Sequence, residues 1–172
     1  MKSTILIISL IITQSVIAER TCESYTSDEW PDSRYTVDDV SGDNVVVDNK
    51  TGLMWKQCSQ GLTGAYCMTG TVTKYTWQQA LMLVDTQNTS GFAGYTDWRV
   101  PNKKELGTLV TRNCNNPSIN ENVFPNTLKH WYWSSTMVDD GKAWIVSFDY
   151  GYDFRNILED DSRIRLVRSF SK

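Results

Sequence analysis

The stretch Gly91 to Val110, GFAGYTDWRVPNKKELGTLV, restricts the fold more than any other part of this sequence. Gly91 and Gly94 permit backbone angles that other residues avoid, and they frame Phe92 and Tyr95 in a turn. Asp97-Trp98-Arg99 then sets a large aromatic between opposite charges. Pro101 disfavours a helical conformation at Val100 and ends the extended part. Asn102 is a good N-cap, and Glu105 three positions on completes a capping-box pattern that starts a helix. Leu106, Leu109 and Val110 fall at i, i+3, i+4, so this helix is expected to run on to about Arg112 with one apolar stripe.

The first residues describe a destination. One lysine precedes an apolar run from Ile5 to Ile12, and Val16-x-Ala18 supplies short residues before Glu19. This reads as a secretory signal peptide over residues 1–18, cleaved near Ala18. The run is well short of the about 20 residues a membrane span needs, and no transmembrane segment is expected after cleavage. Residues 19–34 are a polar N-terminal arm and residues 35–172 form one domain. The formal net charge of -3 becomes -4 once Lys2 leaves, which is not the basic footprint of a nucleic-acid binder.

Four cysteines in an exported chain read as two disulfides, with three possible connectivities. Cys58 and Cys67 bracket the short loop SQGLTGAY, which favours pairing them locally and leaves Cys22 with Cys114. A zinc site is disfavoured, because no C-x2-C pair occurs and no metal ligand set is assigned.

Two short strands, Arg34 to Val37 and Asn44 to Val47, are separated by the turn residues Ser41-Gly42-Asp43. A second turn cluster, Asp48 to Gly52, leads into a strand from Leu53 to Lys56, giving an antiparallel meander. Tyr75 to Asn88 reads as a helix, with Thr76 as N-cap, Gln79 as its N3 partner, and Trp77, Ala80, Leu81 and Val84 on one face. The Asn- and Pro-rich loop after Cys114 has Ile119, Val123 and Phe124 to hold it down. Three closing strands are expected at Trp131 to Ser134, Ala143 to Phe148, and Arg163 to Arg168. Strands, two helices, then strands predict an α+β fold: two helices packed on a twisted antiparallel sheet with long loops and two disulfides.

The segments DNKTGLMWKQCSQG, YTWQQAL, GFAGYTDWRVPNKKEL, NPSINENVFPNT, YWSST, AWIVSFDYG and RLVRSF, in this order, resemble the Lcl C-terminal-domain family. That family is named for the terminal domain of a bacterial collagen-like adhesin, and the resemblance covers roughly Tyr35 to Phe170. It implies a C-type-lectin-like architecture and a module that binds glycosaminoglycans and host surfaces. The run from Trp98 to Glu105 is also similar to the start of a helix in formylglycine-generating-enzyme-like domains. Three departures matter. The sequence has no collagen-like repeat to supply trimerisation, its acidic charge argues against a sulfated polyanion, and it lacks the Glu-Pro-Asn, Gln-Pro-Asp and Trp-Asn-Asp motifs of calcium-dependent lectins.

Catalysis has little to stand on. The one histidine, His130, precedes Trp131 and lies near Ser134-Ser135, but a triad is a spatial arrangement and His130 reads as a loop residue. The thiol chemistry of formylglycine-generating enzymes needs free cysteines, for which two disulfides leave none. No enzyme and no cofactor are therefore expected. Asp139, Asp140, Asp149, Asp153 and Glu159 to Asp161 sit in loops of the last third; they read as solvated turns, with a calcium site as the alternative.

The same loops carry Tyr150, Tyr152, Phe154 and Arg155 beside Asp153. An exposed patch of this composition, supported by Trp131, suits recognition of sugar or protein; alternatively DYGYDFRN is a strand with its aromatics buried. Asp97 with Arg99, and Arg165 with Arg168, read as anchors of the fold through charge-assisted hydrogen bonds. The expected function is a secreted, non-enzymatic binding module for glycan or extracellular-matrix protein in surface attachment. The alternative is a structural or protein-interaction subunit of an exported assembly without sugar affinity.

Overall fold

The computed structural model describes residues 20–24, 28–138 and 141–170. The expected signal peptide lies outside these residues. Among them, no helix is long and apolar enough to cross a membrane.

The meander forms as its sequence predicts. Strand β3 (Asp43–Asp48) pairs antiparallel with β4 (Leu53–Lys56), with Val46 opposite Trp55 and Val47 opposite Met54. On its other side β3 pairs with β2 (Tyr35–Val40) through a tight turn, in which Ser41 and Gly42 have φ of 57° and 91°. Positive φ at both central residues matches the right-handed twist of a two-residue hairpin. Strand β11 (Val167–Ser169) closes this sheet against β4, giving the order β11-β4-β3-β2.

A second antiparallel sheet has the order β10-β9-β8, from β8 (Trp131–Val138), β9 (Lys142–Ser147) and β10 (Asp153–Ile157). Two-stranded pairs join β1 (Thr21–Cys22) to β7 (Cys114–Asn115), and β5 (Leu62–Thr63) to β6 (Thr69–Gly70). The antiparallel strands are thus divided among small sheets rather than gathered into the single sheet expected.

The segment expected as one strand from Arg163 to Arg168 explains the division. Arg163 bonds to the backbone of Trp131 and Trp133 in the second sheet, while the Leu166 carbonyl accepts from the Lys56 amide in the first. The chain crosses from one sheet to the other here, so only Val167–Ser169 joins a regular ladder. Alternation along the strands separates two apolar layers. Val46, Trp55, Tyr132, Val146 and Val167 face one, with Leu106, Ile119 and Phe124; Val45, Val47, Trp133, Ile145, Ile164 and Leu166 face the other.

Helix α1 (Trp77–Ser90) lies against the second layer and carries the Thr76/Gln79 capping box predicted for it. Helix α2 (Lys103–Gly107) carries the Asn102/Glu105 box but stops five residues before Arg112. Gly107 is a weak helix former, and the Thr108 hydroxyl donates to the Glu105 carbonyl at 2.7 Å. The chain tightens into i to i−3 bonds, Leu109 to Leu106 and Val110 to Gly107, and still buries Leu106, Leu109 and Val110.

Both disulfides form as paired from the sequence, Cys22–Cys114 and Cys58–Cys67, and no cysteine is free. Trp30 packs into the first layer, with its indole nitrogen donating to the Thr108 carbonyl at 2.7 Å. The charged anchors pair differently from the sequence expectation. Arg168 bonds Asp97 at 2.6 Å, and Arg99 forms a two-pronged pair with Glu105 at 2.7 Å. Arg165 is fully buried against the Phe124 ring and donates to the carbonyls of Lys56 and Gln57 and the hydroxyls of Ser59 and Thr127.

Candidate functional site

The hairpin joining β9 to β10 is fastened to the body of the protein at Gly151. Its φ is 77°, and a Cβ there would lie 2.7 Å from the Val110 side chain and 3.2 Å from the Ser118 hydroxyl. Only glycine allows this approach. The Ser147 amide donates to the Tyr152 carbonyl and the Gly151 amide to the Ser147 carbonyl, so the tip is held from within as well. Tyr150 and Tyr152 flank it, 61% and 69% exposed, with ring centroids 6.4 Å apart and planes 25° from parallel.

Of DYGYDFRN only Asp153 to Asn156 lie in a strand, the first four residues forming the hairpin tip, and its aromatics are not buried: Phe154 is 63% exposed. Strand β10 is an edge strand, and its alternation separates residues that the sequence grouped together. Asp153 and Arg155, opposite Val146 and Trp144, share one face of the sheet. Asp153 forms an ion pair with Lys103 there, and the Lys103 ammonium sits 3.3 Å from the centroid of the Trp144 ring. Arg155 approaches the same ring at 5.5 Å. Phe154 projects from the other face and meets half-buried Trp131 at 6.3 Å. The six expected binding residues do not form one patch.

The face that carries Asp153 opens into a groove of about 760 Å³, walled by the hairpin tip, the turn after α2, and the segment from Glu29 to Arg34. Trp30, Val110 and Val146 supply its apolar lining, with Tyr150 and Tyr152 at one end. Five cations line it: Arg34, Lys50, Lys103, Lys104 and Arg112. Two of them already have carboxylate partners, one pair buried and the other partly exposed. Arg34 grips Asp48 through Nε at 2.8 Å and a second nitrogen at 2.5 Å, and Lys103 is held by Asp153. Burial alone would raise the Asp48 carboxyl, but its hydrogen bonds to Arg34 and Thr51 keep it below its ordinary range.

Lys50, Lys104 and Arg112 are exposed and have no ion-pair partner among the described residues, with Glu29 the one further acid on the lining. Thr111, 1% exposed, also lines the groove, and its hydroxyl has no hydrogen-bond partner there. The exposed cations of this rim are suited to a polar, anionic guest. No sequence spacing announces this arrangement, because Trp30, Lys50, Lys104, Arg112 and Tyr150 come together only through the fold. The Lys103-Lys104 pair is the one local signal.

The remaining candidates lie elsewhere. His130 is exposed, and partial burial with the charges of Arg163 and Lys74 holds its imidazole below the ordinary range. The Ser134 hydroxyl donates to the Trp144 carbonyl at 2.8 Å. Among the described residues no group of three or more His, Cys, Asp or Glu side chains is placed to hold a metal ion. Asp139 and Asp140, part of the acidic set read from the sequence, lie outside the described residues.

No curated protein matches the chain. The family model described as the Lcl C-terminal domain matches residues 44–168, from the strand β3 of the first sheet to its closing strand β11. With that match over most of its length, the chain belongs to the Lcl C-terminal domain family, which points to a surface or adhesin-related module.

Proposed function

We propose that this protein is a secreted, non-enzymatic binding module of C-type-lectin-like architecture. Its groove takes an anionic glycan chain, free or on extracellular-matrix protein, and so serves surface attachment. The observation that carries this reading is the trio Lys50, Lys104 and Arg112, unpaired on one groove of a chain whose net charge is -3. Salt screens charges beyond about 8 Å at physiological ionic strength, so a ligand in the groove feels these cations more than the distant acids. Tyr150 and Tyr152 offer ring faces against which the apolar side of a sugar stacks.

The test is a glycan and glycosaminoglycan array, run with calcium and again with chelator. Sulfated or uronic-acid chains should bind in both conditions. Lys50→Glu, Lys104→Glu and Arg112→Glu together should remove the signal without shifting the melting temperature. Binding that survives the triple substitution would sink the groove as the site, and silence on every glycan would favour the protein-interaction alternative.

A further inference from the structure

Strand β10 carries information that the groove does not use. The Ser147 amide bonds the Tyr152 carbonyl, and Asp153 stands opposite Val146. In an antiparallel ladder hydrogen-bonded and non-hydrogen-bonded pairs alternate. Phe154 and Asn156 therefore bond β9, while the amides and carbonyls of Asp153 and Arg155 point outward. No segment among the described residues pairs with that outer edge. An open edge with Phe154 and Ile157 exposed, 63% and 45%, is a template for another strand.

The edge also specifies its partner. Outward-pointing residues must meet outward-pointing residues, which limits the registers in which β10 pairs antiparallel with a second β10. A two-fold axis at Asp153 or at Arg155 sets like charges directly opposite one another, which is unfavourable. An axis through Phe154 sets Asp153 of each copy against Arg155 of the other. Each such pair then exchanges both its backbone hydrogen bonds and an opposite-charge contact. The two Phe154 rings meet at the axis on the opposite face, each already beside its own Trp131 at 6.3 Å.

From this complementarity we infer that the protein pairs with a second copy of itself, β10 to β10, about a two-fold axis through Phe154. The two three-stranded sheets become one continuous sheet of β8-β9-β10 and its mate. Because directly opposed side chains share a face, both Asp153 residues lie on the same side, and so do both grooves.

Sedimentation equilibrium on the purified protein should show a concentration-dependent species of twice the monomer mass. Asp153→Arg leaves this face of the strand with two arginines and should be monomeric alone; Arg155→Asp leaves it with two aspartates and should be monomeric alone. Mixed in equal amounts, the two variants should restore the doubled mass, since each copy then opposes the other's charges. The mixture also controls for folding, because a misfolded variant cannot be rescued by its counterpart. Phe154→Cys should cross-link spontaneously into a covalent dimer under oxidising conditions, because position 154 is its own partner across a closely spaced pair. Arg155→Cys should not. A monomer at all concentrations, a trimer, a dimer indifferent to the charge reversals, or capture of an unrelated extended peptide on β10 would each overturn the inference.

Discussion

Lys56 provides a sharp test of how this fold handles charge. It lies in β4, 7% exposed, where its ammonium donates to Gln60 at 3.2 Å and Gln87 at 2.9 Å and sits 3.9 Å from the Phe92 ring centroid. Burial depresses the Lys56 ammonium from 10.5 to about 8, against the upward pull of Asp43. A cation whose pKa falls on folding costs stability while both states hold the proton. Each pKa unit corresponds to about 1.4 kcal/mol, so holding the proton in the folded state costs on the order of 3 kcal/mol near neutral pH.

Above about pH 8 the folded protein releases that proton while the unfolded chain keeps it until about pH 10.5. The unfolded state then binds more protons, and stability rises with pH. The expected gain between about pH 7 and about pH 9.5 is about 2 kcal/mol. The window should end there, because burial pushes the Tyr35 hydroxyl up, and ionisation of its unfolded form then works against the native state. Lys56→Met keeps the length of the stem and removes the titration. Urea unfolding at several pH values should show a rising midpoint for the parent and a flat one for the variant, with the variant the more stable near neutrality. The reasoning fails if the two slopes agree, or if the methionine costs several kcal/mol at neutral pH; either would mean that the two glutamines and the ring solvate the ammonium as well as water does.

Two further perturbations probe the frame. Asp48→Asn leaves Arg34 buried without its counter-charge, and loss of one partner of a buried pair typically costs about 3–5 kcal/mol, measurable by chemical denaturation. The parent should also lose stability on acidification as Asp48 is protonated, since its carboxyl is held below its unfolded value, and the variant should lose less. Asn88 both donates to the Trp98 carbonyl and accepts from its amide, each at 2.9 Å, so Asn88→Ala should cost about 1–3 kcal/mol in thermal unfolding.

What the sequence made legible was short-range. Thr76 with Gln79 and Asn102 with Glu105 are three residues apart, and capping chemistry operates over that span whatever surrounds it. The length of α2 is another matter, because apolar spacing reports which side chains are buried, not whether i to i−4 bonds continue beneath them; Thr108 decides that with its own hydroxyl. The burial of Arg165 was invisible, since its acceptors include carbonyls of residues 56 and 57, over a hundred positions earlier in the chain. The residues expected to bind are divided by the fold. Tyr150, Tyr152 and Asp153 reach the groove, but strand alternation sends Phe154 to the opposite face from Asp153, and nothing local points to Lys50 or Arg112.

The crossing of residues 163–166 between the sheets bears on the order of events during synthesis. These residues bond Trp131 and Trp133 on one side and Lys56 and Gln60 on the other, and they contribute Ile164 and Leu166 to a buried layer. Until they emerge, the meander and the later hairpins have no seam, and α1 has half a surface to lie on. Loop closure over such a distance is slow, because its entropy is lost before the contacts form. A nascent chain whose keystone arrives last cannot complete its core until most of it has been made.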